Sequence, residues 1–255
     1  MSYCNCSLVN FALTSRALPS DELFVYTIFK IERDIQMKSV IFDLDGTLID
    51  TSYGHTSAWY LVFQENNWNV DAYKIHRRIG MCGDLFIKLF ATETNHQIDS
   101  VGIKNLQKRH AEIFSELFPI RKPLTGAVEL LKFLRTNNIK HGIATSGSRP
   151  LIDNSLEAIQ IQHDTILVEG RDVAKAKPEP DIFLKCLDKL NVKASDCYVV
   201  GDAVWDIFAG VRAGMLCIGL LTGGNTEEQL LRAGAYRVFK DPEELHRSLN
   251  ELGIY

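Results

Sequence analysis

Short apolar runs that break off at polar clusters alternate with stretches of helical periodicity along most of this chain. The first run, Val40-Ile41-Phe42, ends abruptly in Asp43-Leu44-Asp45-Gly46-Thr47-Leu48. A continuous apolar run of this length reads as a strand buried on both faces of a parallel sheet. Open α/β sheets place ligands at the C-terminal edges of such strands. Strand residues alternate faces, so Asp43 and Asp45 are expected to point the same way, with Leu44 turned into the core. Two acids on one side of a strand end repel each other unless a cation sits between them. Gly46 lets the chain turn sharply, and Thr47 offers a hydroxyl for a local hydrogen bond.

After Leu48 the period changes. Asp50-Thr51-Ser52 supplies helix-capping residues, and Ala58, Trp59, Leu61 and Val62 recur at helical spacing. Helical periodicity continues through Tyr73–Ile79, Leu85–Phe90 and Val101–Phe118, and Pro119 and Pro123 close the region. Alternation then resumes. Helices at Gly126–Thr136, Pro150–Ile159, Asp181–Leu190, Ile207–Ala213 and Thr226–Ala233 lead into strands at Lys140–Ala144, Thr165–Val168, Cys197–Val200, Leu216–Leu221 and Tyr236–Phe239. A terminal helix is expected from Pro242 to Leu252. The expected fold is α/β, a doubly wound, Rossmann-like parallel sheet covered on both faces, with an all-helical insert. Residues 37–51 and 120–255 form the α/β core in this reading, and residues 52–119 form the insert.

The chain has 255 residues, 46% of them apolar and 24% charged, as in an ordinary globular protein. Its net charge of −4 and the lack of a basic run argue against a nucleic-acid partner. No apolar run approaches the roughly 20 residues that span a bilayer, so no membrane partner is expected. The six cysteines form no CxxC pair and no zinc-type cluster with histidine. Cys186, Cys197 and Cys217 lie in apolar segments and read as small core residues, which fits a reducing, cytoplasmic setting. Oligomeric state is not readable, with a monomer slightly favoured. Residues 1–36 lack the features of a signal peptide. They read either as residues ahead of a true start at Met37 or as a loosely held extension, with a short amphipathic helix between Leu23 and Ile35.

Three further polar clusters fall at predicted strand ends or loop starts. Thr145-Ser146-Gly147-Ser148 follows a strand, and its hydroxyls and backbone amides at a helix N-terminus suit a phosphate. Alone, a turn capping the next helix explains it equally well. Lys177-Pro178-Glu179-Pro180-Asp181 puts one lysine before a rigid turn, which alone reads as a solvated loop. Gly201-Asp202-Ala203-Val204-Trp205-Asp206 returns two carboxylates to the same sheet edge, four positions apart. By itself it is an acidic loop capping a helix.

Taken together, Asp43-Leu44-Asp45-Gly46-Thr47, Thr145, Lys177-Pro178 and Gly201-Asp202-x-x-x-Asp206, in that order, resemble the haloacid dehalogenase-like superfamily. The resemblance runs from Met37 to the C-terminus, and residues 52–119 look like that family's helical cap of the first type. It implies that Asp43 attacks phosphorus to form an aspartyl-phosphate. Asp45 would protonate the leaving alcohol and then deprotonate the hydrolytic water. It implies Mg²⁺ held by the Asp43 carboxylate, the Asp45 carbonyl and the Asp202 carboxylate. Lys177, the Thr145 hydroxyl and amides near Ser146 and Gly147 would hold the transferring oxygens. Asp206 would orient Lys177 or a water on the metal.

Within the family, Asp45 argues against dehalogenation, which uses no second acid. The absence of lysine between Ser52 and Tyr73 argues against phosphonate hydrolysis through a Schiff base. Asp50-Thr51, His55 and Trp59 are similar to the hinge and first cap helix of the β-phosphoglucomutase-like enzymes. However, Arg77-Arg78-Ile79-Gly80-Met81-Cys82-Gly83 lacks the lysine before the glycine and the arginine after it with which mutases grip a second phosphate. His55 reads either as a structural polar position or as a group over the substrate. Arg78, with Arg77, reads either as a solvated helix face or as a reader of a distal anion. The expected function is a Mg²⁺-dependent phosphatase of small phosphorylated metabolites. The alternatives are a sugar phosphomutase and a non-catalytic binding or regulatory protein on the same fold. A chain starting at Met37 is expected to keep the activity and melting temperature of the full chain. A large loss of activity on removing residues 1–36 would overturn that expectation.

Overall fold

The computed structural model describes residues 39–254; the helix expected at Leu23–Ile35 lies outside them. In chain order the elements are β1 (Ser39–Phe42), α1 (Ser52–Glu65), α2 (Ala72–His76), α3 (Gly83–Glu93), α4 (Ser100–Leu117), α5 (Ala127–Thr136), β2 (His141–Thr145), α6 (Asp153–Ala158) and β3 (Ile166–Glu169). They continue with α7 (Asp181–Leu190), β4 (Cys197–Gly201), α8 (Val204–Arg212), β5 (Leu216–Leu220), α9 (Glu227–Ala233), β6 (Arg237–Phe239) and α10 (Pro242–Arg247). The six strands form one sheet in the order β3-β2-β1-β4-β5-β6, and every pairing is parallel. This is the α/β, Rossmann-like fold that the alternation predicts.

The central strands are apolar throughout because both of their faces are covered. Val40, Phe42, Ile143, Tyr198 and Val200 pack with Leu130, Leu134, Leu156 and Leu245 on one side of the sheet. Ile41, Ala144, Val199 and Cys217 pack with Phe183, Cys186, Ile207 and Leu230 on the other. Cys186, Cys197 and Cys217 are buried, as expected of small core residues. The four helices α1–α4 have their own core, built on Trp59, Phe63, Phe86, Phe90 and Phe114. No helix among the described residues is long and apolar enough to cross a membrane.

The chain enters and leaves the helical insert side by side. Asp50 N donates to Lys122 O (3.0 Å), Leu124 N donates to Leu48 O (2.9 Å), and Ile49 bridges Pro123 in antiparallel fashion. Two elements differ from the periodicity. The helix expected from Pro150 starts only at Asp153, after a turn. The terminal helix stops at Arg247 and continues as a 3₁₀ turn, Leu249–Leu252. Phe183 is fully buried at the centre of its layer. Phe183→Ala is expected to lower unfolding free energy by about 3–5 kcal/mol, measured by urea denaturation.

Candidate active site

From β1 the chain runs outward to β2 and β3, then returns to β4 on the other side of β1. Such a reversal opens a crevice beyond the strand ends. The polar clusters meet there. Asp43 directly follows β1, Thr145 closes β2, and Asp202 follows the last residue of β4. Strand β1 ends at Phe42, so the face alternation expected to align Asp43 with Asp45 does not reach them, and both lie on the following loop. That loop reverses at Gly46 with φ +86°, where a Cβ would run into the Asp202 carboxylate and the Ser52 hydroxyl. The turn therefore needs glycine both for its φ and for its lack of bulk. Thr47 does not bond locally as expected. Its Oγ1 donates to Asp202 Oδ1 at 2.7 Å, across the crevice.

Lys177 is the only fully buried lysine among the described residues, and its ammonium touches two carboxylates. Nζ donates to Asp43 Oδ1 and lies 2.8 Å from Asp206 Oδ1. Asp206 sits in the first turn of α8, and its Oδ2 accepts from Ala203 N at 2.9 Å. Asp43, Asp202 and Asp206 are all buried, and each offers a carboxylate oxygen within 4.8 Å of the others. Three buried acids thus face one ammonium. Burial pushes Asp43 up to about 7 against the pull of Lys177. Burial, reinforced by the charges of Asp206 and Asp43, raises Asp202 well above the usual carboxylate range. Burial works against the charge of Lys177 too, but Asp206 and Asp43 outweigh it and raise its pKa.

An oxygen-only donor set with excess negative charge fits a hard divalent cation of the Mg²⁺ type. Both Asp206 oxygens are engaged, one with Lys177 and one with the Ala203 amide. Asp202 and Asp43 are the carboxylates best placed to hold such an ion.

Asp45 faces the insert instead. Thr51, expected as a helix cap, makes no side-chain cap bond, and its Oγ1 donates to Asp45 Oδ1 at 2.7 Å. His55 Nε2 lies 3.3 Å from the same oxygen. Burial would raise Asp45, yet His55, Thr51 and Lys177 together hold it below the ordinary range. A cavity of about 390 Å³ opens between these groups and the insert, with Asp43, Asp45 and Thr145 on one wall and Trp59, Phe86 and His110 on the other.

The other expected ligand groups are placed with partners of their own. Thr145 is buried, and its Oγ1 accepts from Gly147 N at 3.0 Å, so the turn after β2 closes on itself. Helix α6 begins six residues beyond Gly147, so no helix N-terminus backs this turn as expected. Ser146 Oγ donates to Gly80 O (3.2 Å), tying the turn to the insert. Arg78 lines the cavity, but its guanidinium is paired with Glu93 and lies over the Phe90 ring at 4.5 Å. It is committed within the insert and is not a free reader of a distal anion.

Comparison with known proteins places this arrangement. Residues 40–220 match the family profile described as haloacid dehalogenase-like hydrolase. The chain belongs to the haloacid dehalogenase-like hydrolases. It is 31% identical over 221 residues to a phosphorylated carbohydrates phosphatase of Thermotoga maritima, covering 85% of this chain and 100% of that one. It is also 31% identical over 194 residues to a β-phosphoglucomutase of Bacillus subtilis, covering 73% of this chain and 84% of that one. Among solved structures, a hydrolase from Pseudomonas syringae superposes with a TM-score of 0.82 at 38% identity, covering 85% of this chain and 99% of that one.

In this haloacid dehalogenase-like hydrolase, several site residues carry no spacing signal in the sequence. Thr47 and Thr51 looked like turn and cap residues, and only the fold brings their hydroxyls onto acids. His110 on α4 meets His55 on α1, with Nε2 3.2 Å from Nδ1. Arg121, in the return linker, is buried over the Phe114 ring at 4.2 Å, with Nε and Nη1 unpartnered. Each is a single polar residue whose significance depends on what lies across a helix interface. Lys177→Met would leave Asp43 and Asp206 facing each other without a counter-charge. We expect it to cost about 3–5 kcal/mol of stability at pH 8. The deficit should shrink at pH 5, where Asp43 holds a proton; chemical denaturation at both pH values measures it.

Proposed function

We propose that this protein is a Mg²⁺-dependent phosphatase of small phosphorylated metabolites that works through an aspartyl-phosphate on Asp43. The observation that carries the reading is the division of labour between the two acids of the first loop. Asp43 lies beside Lys177 on the cavity wall, and Asp45 is held separately by Thr51 and His55. Lys177 occupies Oδ1 of Asp43, which leaves Oδ2 to attack phosphorus in line with the leaving alcohol. Asp45 would take up a proton in the substrate complex, where the phosphate's negative charge opposes its ionisation, and deliver it to that alcohol; as the resulting carboxylate it would take one from the water that cleaves the intermediate. The ammonium of Lys177 and the Thr145 hydroxyl would stabilise charge on the phosphoryl oxygens. A bound Mg²⁺, held by Asp43, Asp202 and the Asp45 carbonyl, would neutralise the acids and the phosphoryl group. In this reading α1–α4 act as a cap that shields the cavity from water, with Trp59 and Phe86 meeting the leaving group.

The similarity to β-phosphoglucomutase keeps phosphoryl return to a sugar as the second reading. Engagement of Arg78 by Glu93 favours hydrolysis, because a mutase has to grip a second phosphate.

Metal-dependent release of phosphate from p-nitrophenyl phosphate and from a panel of sugar phosphates is expected, and Asp43→Asn should abolish it without unfolding the protein. Conversion of β-glucose 1-phosphate to glucose 6-phosphate without phosphate release would establish the mutase instead. A second expectation follows from Asp43. Its folded value of about 7 exceeds its ordinary 3.8, so the folded state holds a proton that the unfolded chain has lost. Without metal, stability should therefore fall as pH rises through that window. Mg²⁺ competes with that proton, so the rise in melting temperature on adding Mg²⁺ should be larger at pH 8 than at pH 5.

A further inference from the structure

The insert contains a buried polar group that the proposed chemistry does not use. His110, on α4, is buried and stacks on the Trp59 ring at 4.3 Å and 15°. Its Nε2 lies 3.2 Å from His55 Nδ1, while His55 Nε2 lies 3.3 Å from Asp45 Oδ1. The two imidazoles are nearly parallel, inclined by 21°. His55 is covered on one face by Phe114, at 3.9 Å and 9°. The Arg121 guanidinium in turn lies against the Phe114 ring, at 4.2 Å from its centroid. Both nitrogen-bearing edges of His55 are thus engaged, and one face is blocked.

We propose that His110 is a positioning residue: its hydrogen bond to His55 fixes the tautomer and ring plane in which His55 presents Nε2–H to Asp45. The proposal rests on the phosphatase reading for its catalytic consequence, but its structural content does not. Donor and acceptor roles limit where the ring protons can sit. An ionised Asp45 only accepts, so His55 Nε2 carries the proton. With His55 Nδ1 left bare, the 3.2 Å contact is a hydrogen bond that His110 donates from Nε2. Burial, together with the nearby His55, lowers the pKa of His110 well below its ordinary value, so it is neutral and has one ring proton to place. A ring nitrogen's partner sets which nitrogen is protonated, as in other histidine sites. Without that partner the imidazole can flip about its Cβ–Cγ bond, which puts the carbon Cε1 where Nε2 faced Asp45. The helices α1 and α4 would then hold the ring's position but not its orientation.

The test is a double-mutant cycle with a spectroscopic arm. His110→Phe keeps the ring on Trp59 and removes the donor. It is expected to lower kcat for p-nitrophenyl phosphate roughly 2- to 10-fold, the worth of one hydrogen bond. In a His55→Ala background the same change should have no further effect, and His110→Gln, whose amide can donate, should restore most of the rate. Equal losses in both backgrounds would overturn the proposal. Nitrogen-15 NMR of the metal-free, full-length protein is expected to show His55 protonated at Nε2 and bare at Nδ1, with this pattern lost in His110→Phe. A proton on His55 Nδ1 in the unsubstituted protein would overturn it, whether or not any phosphate ester is turned over. If no ester is hydrolysed but the NMR pattern holds, the functional reading fails and the positioning role stands.

Discussion

Positive charge is scarce where the sheet opens. One buried ammonium, Lys177, faces the carboxylates of Asp43 and Asp206, with Asp202 beside them. Buried charges persist only when paired, and a shortage of one sign leaves a standing demand for the other. The structure places Lys177 before a proline turn ahead of α7 and fixes Asp206 in the first turn of α8. The strand-end crevice is the one place where the loops after β1 and β4 and the turn before α7 converge. The acids stay ionisable there only because these elements agree on the position of a single nitrogen.

The remaining acid is managed by other means. Asp45 is met by a hydroxyl from the linker and an imidazole from the insert, so its surroundings change with whatever the insert does. Asp43 has no such dependence on the helices. The two carboxylates stand two residues apart in the chain, yet one belongs electrostatically to the sheet and the other to α1. This separation of environments lets neighbouring groups of the same type take different roles.

Much of this was legible beforehand, and the reason is specific. Asp43, Asp45 and Asp202 are charged residues at the ends of apolar runs, and a parallel sheet brings all such ends to one edge; Lys177 stood out only through its place before a proline turn in the ordered set of motifs. The helical insert was visible because its periodicity differs from that of the strands around it. What could not be read is which partner each polar atom finds. Thr47 reaches Asp202 across 155 positions of chain, and Arg78 is captured by Glu93 at the end of the following helix, α3. Thr51 looked like a cap and turned out to bond an acid. Gly147 looked like a phosphate donor, but its amide turns back to Thr145. Hydrogen bonds between distant elements depend on tertiary geometry, for which the pattern of one segment holds no information.

The paired crossings at Ile49 and Pro123 have a consequence for how such a protein can diversify. Entry and exit lie side by side, so the insert is topologically equivalent to one long loop on an intact sheet. Its helices pack around their own aromatic core, and none of them supplies the strand-end acids or the lysine. Exchanging the whole excursion between two adjacent backbone positions would leave Asp43, Lys177, Asp202 and Asp206 in place, while replacing the Thr51 and His55 that hold Asp45. Selection on what the protein recognises can then proceed by replacing a module, provided the replacement again supplies partners for Asp45.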